Sequence, residues 1–309
     1  MAKSGTFLVR GASPGDLKVV NRLSILHNWH FGPYELSCGY AFDPSGFFVG
    51  ELDGQVIGHI NAVKYPGHSA FIGVFIVQKE FRGRGYGKKI WDTAWGTLDH
   101  SSTIGLDAAH NMVSKYESYG FRTVWRSSIA QLNFEKIVKN LAGAEVPSGV
   151  SIKSIRTIDF DKLVEYDASV FGAPRHKLLE KWINIPGSLG WGAVDESGNV
   201  LGYTAIKRTI NDMGTEFGLS MAPLYANNDS IAKGLLKVAG ETCLANEAVS
   251  ETEFEVIHDH GDVCGEHASQ LMMEMEAKLT PYGIRMYTKG IPRGRATTKI
   301  YGIFHPGFD

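Results

Sequence analysis

The stretch Arg82-Gly83-Arg84-Gly85-Tyr86-Gly87-Lys88 decides the reading of this chain, because of what stands on either side of it. Before it, Phe71-Ile-Gly-Val-Phe-Ile-Val77 is an apolar run of strand length, rich in β-branched and aromatic residues. After it, Ile90, Trp91, Ala94, Trp95 and Leu98 recur along one face of a helix. A strand, a glycine turn and a helix start together make a cradle for an anion. Glycines let backbone N–H groups turn inward, the helix N-terminus adds partial positive charge, and Arg82, Arg84 and Lys88 add full charges. Three glycine motifs compete for this loop. A P-loop needs a Ser or Thr after its Lys, and Lys89 stands there instead. The dinucleotide fingerprint fails as well, since the third glycine comes one residue early. What remains is Arg-x-x-Gly-x-Gly, with a pyrophosphate as the expected occupant.

The segment Val77-Gln-Lys-Glu-Phe-Arg-Gly-Arg-Gly-Tyr-Gly87 resembles the acetyl-CoA loop of the GCN5-related N-acetyltransferases, the GNAT superfamily. Downstream, Thr103-Ile-Gly-Leu-Asp107 reads as a strand, and Tyr116-Glu-Ser-Tyr-Gly120-Phe121 matches the family's helix ending in Tyr-x-x-x-Gly-Phe. The resemblance implies acetyl-CoA as co-substrate, bound by Phe75, Ile76, Val77, Arg82, Gly83, Arg84, Gly85, Tyr86, Gly87, Lys88 and Asn111. It implies direct acetyl transfer to an amine, without an acyl-enzyme. Backbone N–H groups of the Phe71–Val77 strand would meet the developing oxyanion, and Tyr116 would be the general acid. Met112, Val113, Tyr116 and Tyr119 also form an apolar helix face, so a merely packed Tyr116 is the competing reading.

Composition bounds the remaining options. The chain has 309 residues, enough for two domains, with 43% hydrophobic and 21% charged residues as in ordinary globular proteins. A net charge of −2 and no sustained basic stripe argue against nucleic acid as a partner. Met1-Ala-Lys-Ser-Gly5 has no apolar core behind it, and no apolar run reaches the length of a membrane span. Cys38, Cys243 and Cys264 are odd in number and scattered, which fits a reducing compartment. A cytoplasmic protein with no membrane partner is expected.

The chain also repeats itself. Phe48-Val-Gly-Glu-Leu-Asp-Gly54-Gln-Val-Ile-Gly58 is a hairpin echoed by Gly192-Ala-Val-Asp-Glu-Ser-Gly198-Asn-Val-Leu-Gly202, with both glycine pairs 144 residues apart. Phe7-Leu-Val9 has a counterpart at Ile152 to Ile155, and Tyr119-Gly-Phe-Arg122 is echoed 163 residues on by Tyr282-Gly-Ile-Arg285. The shifted glycine loop lands on Ala226-Asn-Asn-Asp-Ser-Ile231, where Asp229 and Ser230 read as a helix N-cap and an Asp would repel pyrophosphate. Shifted Tyr116 lands on Leu279, which has no proton to donate. Asp167-Ala-Ser-Val-Phe-Gly-Ala-Pro-Arg175, Met221-Ala-Pro-Leu-Tyr225 and Arg285-Met-Tyr-Thr-Lys-Gly290 resemble the C-terminal domain of the YitH-like subset of the superfamily. The fold class implied is α+β, two tandem acetyltransferase domains, each with a mixed, mostly antiparallel central sheet flanked by helices. Residues 1–138 would be catalytic and residues 150–309 a copy without the CoA loop, joined near Lys139–Gly149.

An aromatic and acidic segment, Trp29-His-Phe-Gly-Pro-Tyr34-Glu35, follows the first helix, where the family lines its substrate site. Trp29, Tyr34 and Glu35, with Asp43, would hold an organic ammonium. No acid or base stands on the Phe71–Val77 strand, so the general base is open among Glu51, His59, His68 and a water chain. His258-Asp-His260-Gly-Asp262-Val-Cys264-Gly-Glu-His267 gathers possible ligands between a Thr252–Ile257 strand and a Glu266–Leu279 helix. Its spacing matches no standard zinc pattern, so no metal is expected. The leading expectation is an acetyl-CoA-dependent N-acetyltransferase acting on a small amine or amino acid. Transfer of a longer acyl group, or a silent CoA-binding sensor, are the alternatives.

Overall fold

The computed structural model describes residues 5–27, 29, 31–210, 216–261, 264 and 266–309. The first half runs β1 (Phe7–Gly11), α1 (Asp16–Ile25), α2 (Glu35–Phe42), β2 (Phe47–Leu52), β3 (Gln55–Tyr65), β4 (Ser69–Val77), α3 (Tyr86–Trp95), β5 (Thr103–Ala108), α4 (Val113–Glu117), β6 (Arg122–Asn133) and α5 (Phe134–Asn140). The second half repeats that order through its sixth strand, as β7 (Ser151–Ser154), α6 (Phe160–Phe171), α7 (His176–Ile183), β8 (Leu189–Val194), β9 (Val200–Ile210), β10 (Glu216–Ala226), α8 (Asp229–Leu244), β11 (Glu253–His260), α9 (His267–Glu274) and β12 (Lys278–Tyr287), and then ends in β13 (Ile300–Gly302) where the first ends in α5. The architecture is α+β with a mostly antiparallel sheet, and each glycine-marked hairpin of the repeat is formed, β2–β3 and β8–β9. The β2–β3 turn is Asp53-Gly54 with φ of 48° and 84°, the doubly left-handed turn whose twist matches the strands.

The two copies do not stand side by side as separate sheets. Strand order is β1-β2-β3-β4-β5-β12-β6-β11-β10-β9-β8-β7, with β13 paired to β10. Strand β12 of the second half is inserted between β5 and β6 of the first, and β6 reaches across to pair with β11. The exchange is reciprocal: the sixth strand of each copy completes the sheet of the other. It buries strand edges that two separate sheets would leave open.

Three apolar clusters hold the layers. One lies between α3, α4 and the first half of the sheet, around Ile90, Trp91, Ile104 and Phe121. A second packs α5, α8 and α9 on the other half, around Phe134, Leu235, Leu236 and Met272. The third joins the halves: Leu36 and Cys38 of α2 meet Leu178, Leu179 and Trp182 of α7, with Phe304 and Phe308 of the C-terminal segment among them. That segment locks onto β3. Asn61 Nδ2 donates to the Gly307 carbonyl at 2.5 Å, and the Tyr65 hydroxyl donates to the Phe308 carbonyl. Asp309 is held by Arg295 at 2.8 Å, and its backbone oxygen accepts from Arg285 at 3.0 Å.

Two local readings change. The helix expected over Glu266–Leu279 ends at Glu274, because Glu276 takes a left-handed φ of 55° and the Ala277 N–H turns back to the Met272 carbonyl. The same cap closes α4, where Gly120 has φ of 89° and the Phe121 N–H reaches the Tyr116 carbonyl. The residue that corresponds to Tyr116 is therefore buried Met272, and Leu279 lies on β12. The cap of α8 is Asn228, whose side chain accepts from the Ile231 N–H at 3.1 Å, while Asp229 bonds the Tyr301 hydroxyl.

Candidate active site

Strands β4 and β5 run parallel and pair only over Ser69–Ile72 and Thr103–Leu106. Beyond Ile72 they part, and the gap is a cleft of about 630 Å³, within the range of ligand sites. What splits them is a bulge in β4. His59 pairs with Ile76 and Asn61 with Gly73, so Val74 and Phe75 together oppose Ile60. Val74 takes φ of 48°, strained for a β-branched residue, and the buried ring of His59 stabilises it by bonding the Val74 carbonyl from Nδ1 at 3.1 Å. The bulge takes backbone N–H groups out of the ladder where β4 faces the cleft.

The glycine loop forms one end of the cleft. Gly83 and Gly85 have φ of 75° and 82°, conformations a side chain would strain, and nothing lies within 4 Å of where a Cβ would project. Gly85 caps α3, so the helix N-terminus opens on the cleft beside Lys88. Gly87 lets α3 pack on β4, since a Cβ there would meet Val77 at 3.3 Å. Arg82 donates from Nε to the Val77 carbonyl at 2.8 Å and touches the His27 ring, which fastens the loop to the end of β4. Lys88 pairs with Asp92 at 2.5 Å. This arrangement fits a pyrophosphate group: open glycine backbone, a free helix N-terminus, and Arg82 and Lys88 at the rim.

Of the sequence-derived contacts, Phe75, Ile76, Val77, Arg82, Gly83, Gly85, Gly87, Lys88, Asn111 and Tyr116 line this one cleft. Arg84 and Tyr86 belong to the same loop but not to its lining; Arg84 lies over the Phe81 ring and Tyr86 against Phe7. Tyr116 on α4 is 8% exposed and wedged against Trp91 and Phe121. Burial pushes its hydroxyl up to about 12, so it carries its proton at neutral pH.

The candidate bases do not reach the cleft. Glu51 is taken by Arg10 at 2.8 Å, and His68 spans Ser69 and the Arg293 carbonyl. His59 lies behind β4, its pKa pulled down to about 4 by burial, and serves the bulge. Asp107 does line the cleft, but Arg285 holds both its oxygens at 2.6 and 2.9 Å.

On the acceptor side, Trp29 and Phe31 line the cleft, whereas Tyr34 is 42% exposed and outside it. Glu35 offers no open carboxylate. It is buried, ion-paired to Lys207 of the second half at 3.1 Å, and accepts from the Gly32 N–H at 2.7 Å. Burial alone would raise its pKa; the Lys207 ammonium, with the Gly32 N–H, outweighs that and lowers it. Asp43 bonds the Lys64 N–H and its ammonium. Tyr282 was not among the expected site residues. It falls at a register break of β12 between Pro281 and Gly283, which turns it into the cleft beside Pro306. Its only sequence signal is Pro and Gly flanking a Tyr inside a strand.

Among the described residues the second half forms no such cleft. There β10 and β11 meet at Ser220 and Glu255 alone, and β13 fills the gap beyond, antiparallel to β10 at Leu224 and Tyr225, with the Ile303 N–H on the Ile257 carbonyl at 2.8 Å. Of the histidine-rich stretch, Asp259 is buried and bonded to Ser127, and residues 262, 263 and 265 lie outside the described residues. Among the described residues no group of three or more His, Cys, Asp or Glu is placed to hold a metal ion, and no helix is long and apolar enough to cross a membrane.

Residues 18–121 match the Acetyltransferase (GNAT) family and residues 163–302 the Acetyltransferase (GNAT) domain, so the chain belongs to the GNAT superfamily as a tandem-domain member. It is 25% identical over 240 residues to the holothin acyltransferase of Pseudoalteromonas sp. (strain SANK 73390), covering 77% of this chain and 76% of that protein. It is 26% identical over 237 residues to the uncharacterized N-acetyltransferase YitH of Bacillus subtilis (strain 168), covering 71% of this chain and 78% of the relative. A crystal structure from Pyrococcus horikoshii, classed among acetyltransferases, superposes with a TM-score of 0.72 at 19% identity over 100% of this chain and 97% of its own. The family transfers acyl groups from acyl-CoA.

Proposed function

We propose that the protein transfers the acetyl group of acetyl-CoA to the primary amine of a small molecule, directly and without an acyl-enzyme. The observation that carries this reading is the convergence, on one cleft, of the β4 bulge, the glycine turn at the N-terminus of α3, and the Tyr116 hydroxyl. Bound acetyl-CoA would supply a thioester carbon open to attack by a neutral amine. Freed N–H groups of the bulge stabilise negative charge on the thioester oxygen. Loop and helix N–H groups, with Arg82 and Lys88, hold the pyrophosphate.

Tyr116 faces the leaving sulfur. A hydroxyl near 12 is a weaker acid than a thiol at about 8.5, so it acts chiefly by donating a hydrogen bond to the emerging thiolate. With Glu51, His59 and His68 turned away from the cleft, the amine enters neutral or gives its proton to water. Three free thiols, net charge −2 and the open aromatic flank suit a cytoplasmic enzyme whose partner is a small amine rather than nucleic acid or membrane.

Screening amines with purified protein and acetyl-CoA, scored by free CoA release, tests the reading. Turnover of at least one amine is expected. Turnover only with longer acyl-CoA would shift the donor, a reading favoured by a relative named simply an acyltransferase. Tight CoA binding with no turnover of any amine would leave a sensor.

A further inference from the structure

A second, smaller space of about 50 Å³ opens off the main cleft where the halves meet. The two share Trp29, Phe31, Tyr282 and Pro306 as common walls. Its far end is made by His305, Glu35, Ser220 and Glu255, so both halves build it. A space of this size takes one or two waters, or the end of a ligand whose other end lies in the main cleft.

His305 sets what that end must be. The ring is 2% exposed and fixed in place, stacked on Phe308 at 4.0 Å and set against Phe31 at 4.7 Å. Its Nδ1 accepts the Gly307 N–H at 2.9 Å, so in the neutral ring the proton sits on Nε2. Burial holds the ring neutral, with its pKa down at about 4. Nε2 has no hydrogen-bond partner. Glu35 Oε2 stands 3.7 Å off, beyond bonding range, and is already bonded to Gly32. An unpaired buried donor is costly, and the residue that carries it lines the chamber.

We infer that this chamber is the distal part of the acceptor site and takes a neutral carbonyl of the acceptor amine, an amide or lactam oxygen, on the His305 Nε2–H. Nε2–H only donates, so the group it meets must accept. An anion is disfavoured, because Glu255 lines the chamber with no ion-pair partner among the described residues. Beside His305 a cation finds no free acceptor, since Lys207 and Gly32 hold Glu35. Glu255 and Ser220 remain for an N–H beside the carbonyl. The inference rests on the acyl-transfer reading, and it gives the second half, which has lost its own CoA cleft, a part in choosing the substrate.

The test uses the full-length protein and matched pairs of primary amines, one carrying a carboxamide and the other a methylene in place of the carbonyl. The carboxamide should be favoured about ten- to a hundredfold in kcat/KM, since its loss strands the buried donor. His305→Asn keeps an oxygen for the Gly307 N–H and removes the far N–H. The preference should then fall to near one with the acetyl-CoA KM unchanged. His305→Gln places an amide N–H near the Nε2 position and should keep most of the preference. Amines that turn over with no carbonyl preference, or a preference that survives in folded His305→Asn, would overturn the inference and leave the chamber to a buried water. Absence of turnover with every amine would overturn the acyl-transfer reading along with it.

Discussion

Tyr116→Phe separates a working hydroxyl from a packed ring. The ring sits between Trp91 and Phe121 and keeps those contacts in the variant, so thermal stability should change little. Tyr116 lines the cleft and its hydroxyl makes no hydrogen bond among the described residues, so its removal strands nothing inside the protein. The size of the kinetic effect follows from its acidity. Full proton transfer from a phenol near 12 to a thiolate whose conjugate acid titrates near 8.5 is uphill by about 3.5 units, or about 5 kcal/mol. The hydroxyl therefore contributes a hydrogen bond to a developing anion, worth about 1.5–3 kcal/mol. That corresponds to a loss of roughly ten- to a hundredfold in the chemical step. Single-turnover acetyl transfer is the assay, because product release can mask the step in steady state. Acetyl-CoA affinity should be unchanged, and the wild-type rate should show no ionisation of Tyr116 between pH 6 and 9. An unchanged single-turnover rate in Tyr116→Phe would refute the reasoning and return Tyr116 to the core.

Acetyl-CoA should bind once per chain, and Arg82→Glu with Arg84→Glu should abolish binding, as read by calorimetry; two equivalent sites would contradict the closure of the second cleft by β13. His59, His258 and His305 are each held neutral, near 4, by burial. The unfolded chain binds more protons between about 6.5 and 4, so stability should fall with pH by about 2 kcal/mol per histidine at pH 5, measured by urea unfolding; a flat profile would contradict it. Lys207→Met should cost about 3–5 kcal/mol by leaving Glu35 charged and buried, seen as a drop in unfolding free energy at pH 7. Gly73→Ala should lower Tm, since its Cβ would lie 2.4 Å from the Gly307 oxygen and lift the C-terminal segment off β4; an unchanged Tm would show that the segment adapts freely.

Local chemistry was legible in the sequence. Glycines at 83 and 85 state their left-handed turns, the 90–98 periodicity states the face of α3, and the Tyr-x-x-x-Gly-Phe cap states where α4 stops. These features depend on residues a few positions apart, so spacing alone reports them. The duplication was legible for the same reason, because hairpin glycines keep their offset when the rest of a copy drifts. Where the copies had drifted further, sequence offsets misled: Leu279 stood for Tyr116 by counting, but the cap geometry assigns Met272.

Only the tertiary structure decided how the copies share one sheet. Reciprocal insertion of β6 and β12 is a choice between nearly equivalent strand pairings, and no residue pattern within either strand records its partner. The same holds for the acceptor side. Glu35 read as an open carboxylate until Lys207, 172 positions away, came to lie against it. Tyr282 and His305 come to line the cleft and its side chamber because β12 crosses into the first half and the last segment folds back on β3. The proposed phosphate end of the cleft is built from neighbours in sequence and was readable there. The proposed acceptor end is built from residues some 270 positions apart, brought together by strand exchange and burial, and that part exists only in the fold.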